Sequence, residues 1–169
     1  MLPVMTSAFR YQLALLILGL YCLVPEIALA QKAPEFNLGS DKGRVVLSRL
    51  QGRVVYLDFW ASWCKPCRNS FPFMNELHTR YGNQGLVVIA INLDEEKNNA
   101  ETFLQKYPAD FVIAYDMNGD TPKKYGLTVM PSSWIIDRQG NIIRHDMGFK
   151  EADRDAIETT IRQTLASKQ

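Results

Sequence analysis

The chain has 169 residues, 47% of them hydrophobic, and a formal net charge of +1. That is enough chain for one domain with an adequate core. The near-neutral balance gives no electrostatic footprint for nucleic acid or for an anionic membrane surface, and no internal repeat or low-complexity tract is present.

Residues 1–30 read as a secretory signal peptide. Arg10 is the only charged side chain before the apolar run Tyr11 to Val24, which Gln12 alone interrupts; Pro25 and Glu26 end it, and Ala28-Leu29-Ala30 follows. A basic start, an apolar centre and an A-x-A site mark a cleaved leader. The alternative is an uncleaved membrane anchor over residues 11–24, but the run is shorter than the ~20 residues a span needs. Cys22 does not mark a lipoprotein, because Tyr21 before it is too bulky for the small residue required there. Cleavage after Ala30 leaves residues 31–169 as one exported domain, with periplasmic localisation expected. That domain holds two cysteines, Cys64 and Cys67. In an oxidising compartment an isolated C-x-x-C is more often a working disulfide than a structural one.

Val45-Val46-Leu47 and Val54 to Phe59 are two short β-like runs separated by Gln51-Gly52. The second is apolar enough to be a buried strand. After it comes Trp60-Ala61-Ser62-Trp63-Cys64-Lys65-Pro66-Cys67, and then an amphipathic helix over Arg68 to Tyr81. Cys67, Phe71, Met74, His78 and Tyr81 share one face of that helix. Pro72 lies inside it and predicts a kink. Leu86 to Asn92 is a strand fit for burial on both faces. Ala100, Phe103, Leu104 and Tyr107 repeat at helical spacing until Pro108 stops them, and Phe111 to Tyr115 is a further strand. Asp94-Glu95-Glu96-Lys97 reads as a solvated helix entry. Pro122 to Gly126 is a short helix closed by glycine. Ser133 to Ile136 is a strand, Asp137 to Asn141 a turn with Gly140 suited to positive φ, and Ile142-Ile143 the start of the returning strand. Ile157, Ile161 and Leu165 mark a C-terminal helix. Strands alternating with helices imply a central mixed sheet covered on both faces.

The two cysteines carry the chemistry. Their spacing lets the sulfurs meet across one tight turn, at a strand-to-helix junction where unpaired N–H groups and the helix dipole favour a thiolate. Cys64 is therefore the attacking nucleophile; Cys67, one turn in and on the apolar face, is the resolving thiol. A structural disulfide is one alternative. A zinc site is another, but two thiolates supply only half of a tetrahedral set, and neither a second C-x-x-C nor an H-x₃₋₅-H follows. Asp58 stands in the middle of the buried strand, on the same face as Tyr56 and Trp60. A carboxylate there needs a reason. Either it handles protons, with a pKa lifted by desolvation, or it lies at an exposed strand end. Trp60 is expected in the core and Trp63 at the surface, on a docking face. His78 is read as a satisfied core histidine and His145 as a surface strand residue.

The Trp-Cys-Lys-Pro-Cys motif resembles the thioredoxin superfamily, and the surrounding segments look most like its exported TlpA/ResA-type branch, over roughly residues 33 to 166. The resemblance implies an α/β thioredoxin fold with an added N-terminal β-hairpin and a central helix–strand insertion. It implies a thiol–disulfide oxidoreductase acting without a cofactor, as a monomer, on disulfide-containing exported proteins, and re-reduced by a membrane thiol transporter. Asp58 matches the buried acid that handles the proton of the resolving thiol. Pro66, beside Lys65, resembles the reducing members, nearer about −270 mV than about −120 mV. Met130-Pro131 resembles the loop whose cis-proline faces the disulfide and lets the preceding backbone pair with an extended substrate. Some cytochrome-maturation members carry Glu where Ser70 stands and lack the buried acid, which favours a general reductant here. A peroxidase on the same fold would need a lone Cys preceded by Thr and Pro, which is absent. A non-catalytic binding module with a structural disulfide is the remaining rival.

Overall fold

The computed structural model describes residues 30–167. The expected signal peptide, with its apolar run 11–24 and Cys22, therefore lies outside the described residues, apart from Ala30. Seven strands are seen: β1 Asn37–Ser40, β2 Gly43–Val46, β3 Val54–Trp60, β4 Leu86–Asn92, β5 Val112–Tyr115, β6 Ser132–Ile136 and β7 Ile142–Met147. They form one sheet in the order β2-β1-β5-β4-β3-β6-β7. The central strands β3, β4 and β5 are parallel, and β6, β7 and the β1–β2 hairpin are added antiparallel. The helices are α1 Cys67–Tyr81, α2 Lys97–Lys106, α3 Asp120–Lys124 and α4 Arg154–Ala166. This is the mixed, two-faced α/β sheet of a thioredoxin fold, with the added hairpin and with α2 and β5 inserted.

Alternation along the strands divides the core in two. On one face Tyr56, Trp60, Val88, Ala90, Ile113 and Ile135 pack under α1, α2 and α4. On the other, Val55, Leu57, Phe59, Ile89, Ile91 and Trp134 are covered by Phe36, Leu47 and Tyr125. Every residue of β3 is buried, as expected of a strand with parallel and antiparallel neighbours and two covered faces.

The buried face of α1 is wider than one apolar stripe. Cys67, Phe71, Met74 and Tyr81 are buried, but so are Phe73 and Leu77, whereas His78 is only half-buried. Reading His78 as a core residue is thus corrected, because the helix is clasped from two sides. Phe71 meets Trp60 and Phe103 edge-on, each at 5.0 Å between ring centroids, while Phe73 meets Tyr56 and Phe149 on the other flank. Aromatic pairs of this kind add about 0.5–1.5 kcal/mol each beyond their buried area. Residues 45–47 do not form one β-run: β2 stops at Val46 and Leu47 opens a 3₁₀ turn.

The turn after β6 is built as its residues dictate. Asp137 Oδ1 accepts the N–H groups of Gln139 and Asn141 at 2.9 and 2.8 Å, and Gly140 takes φ +81°. Arg138 reaches back to donate to the carbonyls of Thr164 and Leu165, at 2.9 and 3.1 Å, closing the C-terminal end of α4. Residues 31–33 lie along the start of β7: Ile142 N–H donates to the Gln31 carbonyl, and Ala33 N–H to that of Gly140. No helix among the described residues is long and apolar enough to cross a membrane.

Candidate active site

The site is the passage from β3 into α1. Three successive N–H groups are tied back through the chain as it turns: Cys67 to the Cys64 carbonyl, Arg68 to that of Lys65 and Asn69 to that of Pro66. No side chain caps α1, and its first turn holds no acidic residue. The positive end of the helix dipole is therefore left for Cys64. The Cys64 and Cys67 sulfurs are joined at 2.01 Å, with Cα atoms 5.4 Å apart. Cys67 is wholly buried. Cys64 is 4% exposed and lines an open groove of about 540 Å³ between residues 63–66 and residues 127–130. Trp63 stands 67% exposed at the mouth, while Trp60 is enclosed beneath. Lys65 and Pro66 are exposed on the same rim. The Met130–Pro131 bond is cis, with Met130 in the groove wall and Pro131 buried behind it.

Asp58 is 1% exposed. Its Oδ1 has no hydrogen-bond partner, and the residues directly beside it in the sheet are Ala90 on β4 and Ser133 on β6. Burial alone pushes its carboxyl pKa well above the ordinary value. The Tyr56 phenol, two residues back on the same face, is pushed up by burial first and then by the Asp58 charge, with Ser133 drawing it the other way. The exposed-strand-end alternative for Asp58 is thereby removed. Asp58, Tyr56 and Cys67 all lie in the layer between the sheet and α1.

Asp94 corrects the expectation of a solvated stretch. Glu95, Glu96 and Lys97 are exposed, but Asp94 is 2% exposed. Its carboxylate accepts the Ser62 N–H at 3.0 Å, the Ser62 hydroxyl at 2.8 Å and the Asn92 amide at 2.8 Å. The end of β4 thus pins the loop that carries the cysteines. The signal was available: Asp94 follows a strand parallel to β3, and that strand ends beside Trp60. Leu127 and Val129 also line the groove. They are apolar side chains in a loop leading to a cis-proline, where a groove wall needs them. Ser70 is buried, and its hydroxyl donates to the Cys67 carbonyl at 3.0 Å. The two histidines are not brought to the cysteines: His145 stacks on Trp134 at 4.2 Å on the far face, and His78 sits near Gly82. Among the described residues no cluster of three or more His, Cys, Asp or Glu could hold a metal.

A dithiol pair with one sulfur reachable and the other sealed, on this sheet order, is the redox centre of a thioredoxin-fold oxidoreductase. The sequence profile of the redoxin family matches residues 28–161. The thiol-disulfide oxidoreductase ResA of Bacillus thuringiensis subsp. konkukian is 31% identical over 146 residues, covering 86% of this chain and 83% of that protein. The ResA of Geobacillus thermodenitrificans is 36% identical over 117 residues, covering 69% and 67%. A Chlorobium tepidum structure, assigned as a thiol:disulfide interchange protein DsbE, superposes with a TM-score of 0.79 at 47% identity, over 81% of this chain and 97% of that one. The chain belongs to the redoxin family and, within it, to the ResA-type thiol–disulfide oxidoreductases.

Proposed function

We propose that the chain reduces disulfides of exported proteins in the periplasm through the Cys64–Cys67 dithiol. The observation that carries this reading is the unequal placement of the two sulfurs, Cys64 on an open groove and Cys67 sealed in the layer that holds an unpartnered acid. In the reduced state the Cys64 thiolate attacks one sulfur of a partner disulfide. A Cys64–partner bond forms, and the partner's second sulfur leaves as a thiolate. Asp58 then takes the proton of Cys67. The Cys67 thiolate attacks Cys64, the Cys64–Cys67 bond forms, and the partner's first sulfur departs with its electron pair and is protonated by water. Two electrons have passed from enzyme to partner.

Trp63, Lys65, Pro66 and Met130 line the groove, with the cis-Pro131 setting the backbone of Met130 from behind, and an extended strand of partner is the occupant it suits. A membrane thiol transporter returns the electrons, and residues 1–30 direct export, with retention by residues 11–24 as the alternative to cleavage. The protein works as a monomer and uses no cofactor. The test is trapping. Cys67→Ser is expected to hold partners in a mixed disulfide, because nothing resolves the adduct, and Cys64→Ser to hold none. Equal trapping by both variants, or by neither, overturns the assignment of roles.

A further inference from the structure

The cysteine turn has a second hollow beside it that the exchange steps do not use. Residues 63–66 face the groove. Ser62 just before them and Arg68 just after them line a separate cavity of about 270 Å³, together with Asn99, Phe103, Lys106 and Tyr107 from α2 and its end. One wall is aromatic: Phe103 is buried, and its ring centroid lies 4.7 Å from that of Tyr107. The rest is cationic. Arg68 stands over the Tyr107 ring, 5.8 Å from the centroid, a contact that holds the guanidinium without using its N–H donors. Lys106 joins it from the last turn of α2.

Neither cation is committed elsewhere. Among the described residues Arg68 and Lys106 enter no salt bridge and donate no side-chain hydrogen bond. Every other described arginine except Arg49 has an acceptor. No acidic side chain lines the cavity. Asp94 is taken up by Ser62 and Asn92, and Glu101 by Lys97 at 3.3 Å. The first turn of α1 adds no acid and no side-chain cap, so the helix dipole reinforces the same sign. Two uncommitted cations around a cavity without an acid favour an anion, and the arginine fork favours a carboxylate. The cavity adjoins the turn whose Cys64 forms the mixed disulfide, so an anion carried by the partner is the one brought to it.

We propose that this cavity is a specificity subsite for a carboxylate, an aspartate or glutamate side chain close to the partner disulfide, read by Arg68 and Lys106. This deepens the reading of Cys64 as the group that attacks the partner and rests on it. No bond is made or broken there; the subsite selects which disulfides Cys64 meets.

The experiment measures kcat/KM of the full chain for disulfide-bonded peptides that differ only in carrying Glu or Gln near the cysteine. Positions within about three residues, or about 10 Å of extended chain, are tried in turn. Each rate is divided by that of dithiothreitol with the same peptide, which removes the effect of the carboxylate on the thiols themselves. At low salt the parent is expected to favour Glu about fivefold at the best position, the size of a good ion pair at a surface, and to lose most of this in about 0.5 M salt. Arg68→Gln and Lys106→Gln are each expected to cut the preference to about twofold, and the double variant to abolish it; Arg68→Lys, which keeps the charge, is expected to retain most of it. Loss of Arg68 also weakens the Cys64 thiolate at the start of α1, which slows every peptide alike and leaves the Glu-to-Gln ratio unmoved. Equal rates on Glu and Gln peptides at all positions, or a preference that survives the double variant, overturn the subsite. So does a preference lost on Lys65→Gln alone, which places the reader on the groove rim. A parent that reduces no peptide of either kind overturns the reductase reading and the subsite with it, whereas equal reduction of both kinds overturns the subsite alone.

Discussion

Replacing Asp58 by Asn separates ionisation from shape at the centre of the sheet. In the disulfide form, below pH ~3.9, the carboxyl is protonated in both folded and unfolded chains. Above that pH the unfolded chain ionises, while burial holds the folded carboxyl protonated to a higher pH. The stability contributed by the raised pKa is thus fully present at low pH and is lost as pH rises towards the folded value, at about 1.4 kcal/mol per pH unit. Asn does not titrate. Its advantage over Asp should grow between pH 4 and pH 7, with a ceiling of about 4 kcal/mol set by that slope. The pH-independent cost of placing an amide where Oδ1 has no partner, about 1–3 kcal/mol, cancels when the two pH values are compared. The assay is a urea midpoint for parent and variant at both pH values, with the disulfide intact. Single-turnover resolution of a mixed disulfide supplies the functional half, expected to slow by ~10² while the first attack is little changed. A stability difference that is the same at pH 4 and pH 7, with unaltered resolution, would refute the reasoning and leave Asp58 as a packed polar side chain.

Two further substitutions test the surroundings of the disulfide. Pro66→His should make the couple more oxidising, because a partly cationic ring at the start of α1 stabilises the Cys64 thiolate. Equilibration with glutathione reads the shift, each ~30 mV being about 1.4 kcal/mol, and an unchanged or lower potential rejects the electrostatic account. Asp94→Ala strips the acceptor from the Ser62 N–H, the Ser62 hydroxyl and the Asn92 amide and should destabilise by about 3 kcal/mol. The exposed neighbour Glu95→Ala should stay within about 0.5 kcal/mol of the parent, and equal urea midpoints for the two variants would remove the pin.

The elements legible in the sequence are those whose burial is nearly complete. β3 and β4 are apolar along almost their whole length because both faces are covered, so no periodicity had to be read. The C-x-x-C at the junction and the enclosed Asp58 follow from residue type and position, and the Met130–Pro131 loop from the resemblance to the thioredoxin superfamily. What escaped reading depends on partners distant in sequence. Asn37–Ser40 has no apolar alternation and is a strand only because β2 and β5 flank it. β7 runs on to Met147 through Arg144, His145 and Asp146, because the Arg144–Asp146 pair neutralises one face and Trp134 stacks on His145 on the other. Phe73 and Leu77 are buried because α1 has neighbours on two flanks, and a single helical stripe cannot express that. Asp94 reads as one more acid in a charged run, and only its contact with Ser62, 32 residues earlier, sets it apart.

One short stretch, residues 31–46, touches both outer margins of the sheet. It begins against the start of β7, where Lys32 bridges Asn141. It passes beneath the second face with Phe36 buried, and ends as the hairpin beside β5. Open strand margins are templates for other chains; this one belt covers the β5 margin and the very start of β7, and the outermost strand it adds has four residues and carries Arg44. A chain trimmed to start at residue 47 would keep the disulfide, the groove and Asp58 yet bare the β5 margin and the beginning of β7 together. Its first failure would be self-association through those margins, with the chemistry of the site still intact.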